Sequence, residues 1–302
     1  MMMPSPDLFP DIPQDITRLI FEYAAEDQAH RLTYPLVSKS VQSWVEPVIY
    51  REVVVDTHGL FVRTIEDPAS TKPPNFFEIH VKTIFIDEIH PQKVAPILKK
   101  CSCIISLCLW GVTSLSKPYL SVTTVAPKRL SLAASTLDSN ARHFSLPLFR
   151  QVTHLDIYCG IGSGSEDMDW STLNGLKHIT HFSVSLDPDE PSYGDIIRSI
   201  PVSVRIMILY LVDFDVEDQG IQAIADGQID DRVVICLVSQ TRAPLDYYNK
   251  LAHILAKTSW QGLRDGWRYP LTLTQSIWVE AEVAVVRRRL HMAQARGDEL
   301  SG

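Results

Sequence analysis

Three cysteines that lie close together in the chain are the residues whose types and spacing could bind a metal ion. They are Cys101, Cys103 and Cys108, and His80 and His90 precede them. Structural zinc sites usually pair cysteines that are two to four residues apart. The Cys-x-Cys spacing does not fit that pattern, and the neighbouring residues are largely apolar. We therefore interpret these thiols as reduced side chains of a core.

Two further segments resemble a phosphate-binding loop and a calcium-binding loop, but each lacks residues that such a loop requires. Glycines at residues 160–164 follow a predicted strand, as in a phosphate-binding loop, but acidic residues come next, where an anion would have to sit. The acidic residues 213–218 lack the glycine and the bidentate glutamate of a calcium-binding loop. We interpret them as a flexible loop and a solvated acidic turn. The sequence predicts no catalytic residue, no metal site and no cofactor.

The composition excludes several classes of protein. The chain has 302 residues, of which 45% are hydrophobic, and its formal net charge is −8, which argues against a nucleic-acid-binding surface. The longest fully apolar run, residues 206–212, is far too short to span a membrane. Five cysteines without framework spacing, and the lack of a signal peptide, predict a cytoplasmic or nuclear protein.

Two amphipathic helices are predicted near the start of the chain, over residues 13–25 and about 36–46. The first carries Ile12, Ile16, Leu19, Ile20 and Tyr23 at helical spacing, which places them on one face. A unit of this size buries too little surface to be very stable alone. We therefore predict a module that docks on a partner.

The same residues resemble the F-box family. The landmarks, in chain order, are Ile12-Pro13-Gln14-Asp15-Ile16, Ile20-Phe21, Leu36-Val37-Ser38-Lys39, Trp44 and Ile49-Tyr50-Arg51. Ile12 and Asp15 depart from the usual leucine and glutamate. The resemblance implies that an Skp-type adaptor, and through it a cullin scaffold, binds here. The implied adaptor-binding residues are Ile12, Pro13, Ile16, Ile20, Leu36, Val37 and Trp44.

After Arg51 the sequence changes to short strand-like cores that recur every 23–28 residues from Ile84 onward. Repetition at this period is typical of a leucine-rich-repeat solenoid. Residues 97–109 resemble the helix, cysteine and strand positions of the repeats that follow F-boxes. Another kind of α/β sheet remains the alternative, because the repeat lengths vary and the usual asparagine after the strand is missing.

The solenoid interpretation makes a specific prediction about the strands. They should be parallel and neighbours in chain order, and the middle residue of each core should face a solvent-accessible sheet surface. These middle residues are Phe85, Cys108, Ser131, Asp156, Ser183, Met207 and Ile235.

A target-binding surface is predicted at the strand exits. Trp110, Tyr158 and Tyr210 add aromatic area suited to an interface, as does Phe214, and Asp156 would favour a basic partner segment. The alternative is that these aromatic residues pack beneath the strand-exit loops.

The predicted fold class is therefore α/β, with a helical F-box followed by an irregular leucine-rich-repeat-like solenoid and C-terminal capping helices. The predicted domains are residues 7–51, 52–240 and 241–302, the last with helices over 245–259 and 276–296. We expect a non-catalytic substrate-recognition subunit of an Skp–cullin–F-box ubiquitin ligase that binds an unknown target protein. The alternative is a non-enzymatic repeat scaffold for protein–protein interaction that joins no ligase.

Overall fold

The computed structural model describes residues 12–299 except for a set of short segments. Those segments are residues 28, 57–58, 88–89, 113–124, 138–142, 160–167, 187–192, 213–222, 225, 239–253, 259 and 269–276. The chain divides into two compact units, Met1–Glu52 and Val53–Gly302.

The first unit is built from two helices and a short turn. Helix α1 (Gln14–Ala24) begins after Pro13, and a 3-10 turn (Tyr34–Leu36) precedes α2 (Lys39–Ile49). The hydroxyl of Ser38 accepts a hydrogen bond from the backbone N–H of Val41, which caps α2. The two predicted helices are thus present. Helix α2 continues through Pro47 and ends at Ile49, three residues beyond the predicted end at about residue 46.

The second unit alternates strands with helices and turns. Its strands are β1 (Glu52–Val55), β2 (Thr83–Asp87), β3 (Ser106–Trp110), β4 (Arg129–Ala133), β5 (His154–Tyr158), β6 (His181–Leu186), β7 (Ile206–Val212), β8 (Val233–Val238) and β9 (Ile254–Thr258). Its helices are α3 (Leu60–Glu66), α4 (Phe76–His80), α5 (Pro91–Lys100), α6 (Tyr193–Arg198), α7 (Trp260–Arg268) and α8 (Ile277–Glu299). Short 3-10 turns, among them Pro147–Phe149 and Trp170–Gly175, replace helices between the central strands.

The strands form one sheet in chain order, from β1 to β9, and the pairs from β2 to β9 are parallel. The parallel pairing and the strand order agree with the prediction. Parallel crossovers are almost always right-handed, so in a sheet of this order the connecting segments all lie on the same face. We call this the back face. It is apolar throughout, with Leu107, Leu130, Leu155 and Phe182 fully buried, and Trp170 from a connecting turn contacts Phe182.

The opposite, front face is covered by the two C-terminal helices. It carries in register Phe85, Cys108, Ser131, Asp156, Ser183, Ile208 and Val234. Trp267 of α7 contacts Phe85 and Cys108, while Trp278 of α8 joins the cluster around Ile208. The central row of the front face is therefore buried as deeply as the back face.

This coverage corrects the predicted fold class. A leucine-rich-repeat solenoid keeps its strand surface open, whereas Phe85, Ser131 and Ser183 are inaccessible to solvent here. The connecting segments also differ from one another instead of repeating. The fold is α/β, a single parallel sheet with helices, and the expectation of a helical F-box followed by a solenoid with capping helices is wrong. Helix α8 covers the front face and does not close an open end.

Two of the predicted middle residues lie on the other face. Met207 pairs with Phe182, and Ile235 pairs with Leu209, so both belong to the back face. The prediction was wrong because β7 and β8 are apolar at nearly every position. No polar residue in these strands indicates which side chains belong to the front face and which to the back face. The predicted helix over 245–259 is also wrong where the structure describes it, since residues 254–258 form β9.

The turn that precedes β8 is expected to be sensitive to substitution. Gly227 has a left-handed backbone, φ +72°, and a Cβ there would lie 2.7 Å from Cδ of Arg288. Arg288 is buried and donates to the carbonyl oxygen of Val233 at 2.7 Å. We expect Gly227→Ala to lower the free energy of unfolding by about 2 kcal/mol, from backbone strain and displacement of Arg288.

Thermal melting of the full chain measures this effect. Gly175→Ala is the matched control, because a Cβ at Gly175 meets nothing within 4 Å and its backbone is not left-handed. Equal melting temperatures for the two variants would contradict the role given to Gly227.

Candidate functional site

The first unit presents an unusually apolar surface. Helix α1 has no fully buried residue, and Ile16, Leu19, Ile20 and Tyr23 are between 47% and 80% exposed. Its amphipathic pattern is strong, yet most of its apolar side chains point to solvent. Contiguous exposed apolar surface of this kind usually marks an interaction site.

The segment before α2 carries further exposed apolar residues. Leu36 is 84% exposed and Val37 is 60% exposed, and Leu32 nearby is also exposed. We call the exposed residues Ile12, Ile16, Leu19, Ile20, Tyr23, Leu32, Leu36 and Val37 the apolar docking surface. Of the seven predicted adaptor-binding residues, Ile12, Pro13, Ile16, Ile20, Leu36 and Val37 are exposed and Trp44 is partly buried.

A small core holds the docking surface in place. Ala25, Val41 and Val45 are buried, and Phe21, Tyr34 and Trp44 pack against them. The rings of Phe21 and Tyr34 meet edge to face at 6.1 Å. Phe21 therefore packs α1 against the turn before α2. The other large apolar side chains of α1, which are Ile16, Leu19, Ile20 and Tyr23, remain exposed to solvent. The implied adaptor-binding residues did not include Leu19, Tyr23 or Leu32, although the helical pattern placed Leu19 and Tyr23 on the same face.

The four predicted target-binding residues come together in the second unit, but beneath α7. Trp110, Asp156, Tyr158 and Tyr210 line a cavity of about 10 Å³, which is closed by Leu263 and Trp267 of α7. A space of this size holds about one water molecule. Asp156 and Tyr210 are buried, while Trp110 and Tyr158 are partly buried. Phe214 and residues 160–164 and 213–218 lie outside the described residues.

Asp156 is the centre of a hydrogen-bond network on the front face. Its Oδ1 accepts from the Ser183 hydroxyl at 2.6 Å, and its Oδ2 accepts from the Ser131 hydroxyl at 2.5 Å. Ser131 in turn accepts from Trp110 Nε1 at 2.7 Å, and the hydroxyls of Tyr210 and Ser183 are hydrogen-bonded. Strands β3 to β7 thus contribute one member each.

Burial dominates the electrostatics of this network. It raises the pKa of Asp156 to about 6, although the hydrogen bonds from Ser131 and Ser183 act in the opposite direction. Burial, followed by the charge of Asp156, raises the pKa of Tyr210 well above its usual value. Among the described hydrogen bonds, the seryl hydroxyls of this network donate to the Asp156 carboxylate and contact no histidine. The network stabilises the sheet.

A second polar group lies toward the start of the same strands. The rings of His154 and His181 stack at 4.2 Å, and Trp278 of α8 meets both edge-on. His181 Nε2 lies 3.1 Å from Glu282 Oε1. Burial, then the nearby His181 and Arg129, lowers the pKa of His154 to about 3, and burial also lowers the pKa of His181.

These shifts predict that acid weakens the second unit. A histidine whose pKa is depressed by folding takes up protons in the unfolded state first, so stability falls as pH drops below about 6.5. For His154 the loss is at most about 1.4 kcal/mol per pH unit between pH 6.5 and 3. Asp156 acts in the opposite direction between pH 4 and 6, because its pKa is raised on folding. We expect His154→Gln to reduce the pH dependence of urea unfolding between pH 7.5 and 6.

The exposed His178 provides a matched control for that measurement. His178→Gln removes a histidine outside this buried group and should change the pH dependence less than His154→Gln does. The same pH dependence in both variants would contradict a buried, neutral His154.

The cysteines do not form a metal site in the part of the chain that the structure describes. Cys101 and Cys108 are buried and Cys103 is exposed, and none of the three forms a disulfide bond in the described part of the chain. Burial raises the pKa of Cys101 to about 12, which disfavours the thiolate that a metal would need. No group of three or more potential ligands comes together among the described residues. None of the described helices is long and apolar enough to cross a membrane.

No known protein-family model matches the sequence, and no curated protein matches it significantly.

Proposed function

We propose that this chain is the substrate-recognition subunit of an Skp–cullin–F-box ubiquitin ligase. The apolar docking surface binds the Skp-type adaptor, which links the chain to the cullin scaffold. The second unit binds a target protein. The chain then accelerates ubiquitin transfer by holding the target near the charged enzyme, without chemistry of its own.

The observation that carries the proposal is the exposure of the motif residues. Ile16, Ile20 and Leu36 are landmarks of the F-box-type motif, and each is about half exposed or more, although each is a large apolar side chain. Exposed apolar area of this kind is costly in water, at roughly 25 cal/mol per Å². A partner that buries it recovers this free energy, less the cost of association.

The burial of the Asp156 hydrogen-bond network supports a non-catalytic role for the second unit. The best-connected polar network, around Asp156, is closed off by α7 and leaves room for about one water molecule. A substrate has no access to it in this arrangement. Recognition of a macromolecule at the outer surface agrees better with such a unit than turnover of a small molecule.

Co-expression with an Skp-type adaptor tests the proposal. We expect the full chain to elute with the adaptor as a complex of equal stoichiometry in size-exclusion chromatography, and to recruit the cullin when it is added. A chain that is folded by circular dichroism but elutes apart from the adaptor would overturn the proposal.

A further inference from the structure

A pocket with an apolar floor and a basic rim lies at the entry to strands β5 and β6. It has a volume of about 310 Å³, within the range of ligand sites. Phe144, Phe149 and Leu176 are buried and form its floor. Arg150, Lys177 and His178 are exposed and line its rim. We call it the Arg150 pocket.

The floor of the Arg150 pocket is firmly held. The rings of Phe144 and Phe149 meet edge to face at 5.4 Å, and Phe144 also contacts Trp170 at 6.2 Å. Phe149 belongs to the 3-10 turn Pro147–Phe149, and Leu176 ends the turn Trp170–Gly175. No more than five residues separate each turn from the strand that follows it, and both turns belong to the buried apolar packing of the unit, so the pocket is preformed. A preformed pocket loses little conformational entropy on binding.

The cations on the rim are unpaired. Among the described residues neither Arg150 nor Lys177 forms an ion pair, whereas Arg198, Arg232 and Arg289 of the same unit each pair with an aspartate. The formal net charge of the whole chain is −8, so a concave site with free cations is an exception to its general charge. Electrostatic complementarity then selects an anionic ligand for this place.

We propose that the Arg150 pocket binds an acidic peptide segment of the target protein. An apolar side chain of the segment occupies the floor, and flanking carboxylates contact Arg150 and Lys177. This inference rests on the proposed function in one respect, that the ligand belongs to a target protein. A free small anion would leave the apolar floor uncovered, which is why a segment with both kinds of group fits better.

Fluorescence anisotropy with a labelled short peptide of alternating glutamate and leucine tests the proposal on the full chain. We expect saturable binding that weakens with salt, and a loss of about tenfold or more in affinity for Arg150→Gln/Lys177→Gln. Replacing the leucines of the peptide by serine, or its glutamates by glutamine, should each weaken binding by a similar factor.

Lys93→Gln/Lys99→Gln is the matched control, because it removes two exposed charges of the same unit outside the pocket. Equal losses in the two double variants, or no peptide binding by the unsubstituted chain, would overturn the proposal. Binding of inorganic phosphate without any binding of the peptide would assign the pocket to a free anion and would overturn the proposal as well. Adaptor binding by Arg150→Gln/Lys177→Gln, measured in the same preparation, should be unchanged. A loss of peptide binding alone thus remains distinct from a failure of the proposed function.

Discussion

Ile16→Asp is expected to abolish binding of the Skp-type adaptor while the chain remains folded. Ile16 lies on the apolar docking surface and is 47% exposed, so a carboxylate at this position stays hydrated in the free chain. In a complex the same carboxylate would be buried without a partner, which costs several kcal/mol. We expect affinity to fall by more than about 100-fold, or about 2.7 kcal/mol.

Isothermal titration of purified adaptor into each variant measures this loss. Val202→Asp is the matched control, since Val202 is a 99% exposed apolar residue of the second unit and should tolerate the charge without effect on the adaptor. Retained affinity in a folded Ile16→Asp variant would exclude the docking surface as the adaptor site. An equal loss in Val202→Asp would point to a general effect of charge.

Asp156→Ala is expected to cause the largest loss of stability in the second unit. The substitution leaves the buried hydroxyls of Ser131 and Ser183 without their acceptor and opens a void beside Trp110. Buried donors that lose their acceptor cost about 1–3 kcal/mol each. We expect the free energy of unfolding to fall by about 3 kcal/mol, because removal of the buried charge offsets part of this cost.

Asp156→Asn separates shape from charge in the same network. The amide has the shape of the carboxylate and can form hydrogen bonds with both seryl hydroxyls. The free energy of unfolding of Asp156→Asn at pH 7 should therefore lie close to that of the unsubstituted chain. The folded-state pKa of Asp156 is raised to about 6, so the unsubstituted chain loses stability relative to Asp156→Asn as pH rises from 4 to 6. Urea unfolding at several pH values tests both statements, and a parallel pH dependence of the two proteins would refute a buried, titrating Asp156.

The sequence predicted strand positions well because the strand cores are short apolar runs bounded by turns. Each predicted core from Ile84 onward lies within a strand of the sheet. What it did not predict is the coverage of the front face. Trp267 and Trp278 lie far along the chain from the strands they cover, and no local pattern indicates such a distant contact. Period and spacing therefore favoured an open solenoid where the molecule has a closed α/β fold.

The sequence does contain a pattern that predicts the buried polar network. Ser131, Asp156 and Ser183 each lie one position into a strand core, between two apolar residues. In a parallel sheet of neighbouring strands these positions align, so hydroxyl groups on either side of a carboxylate indicate a buried hydrogen-bonded row. The prediction placed Asp156 on an open binding surface because the covering helix α7 was unknown.

The order in which the segments are synthesised has a consequence for how this fold is completed. Strands β1 to β8 emerge one after another, and each can pair with its predecessor as soon as it is made. The helices that cover the front face come later, at residues 260–268 and 277–299. Until α8 is made, the cluster around Ile206, Ile208 and Val234 lacks Trp278, Ala281 and Val285, so the growing chain exposes apolar surface of the kind that chaperones bind. A premature stop before Ile277 would make that state permanent, and such a product would be expected to aggregate or be degraded.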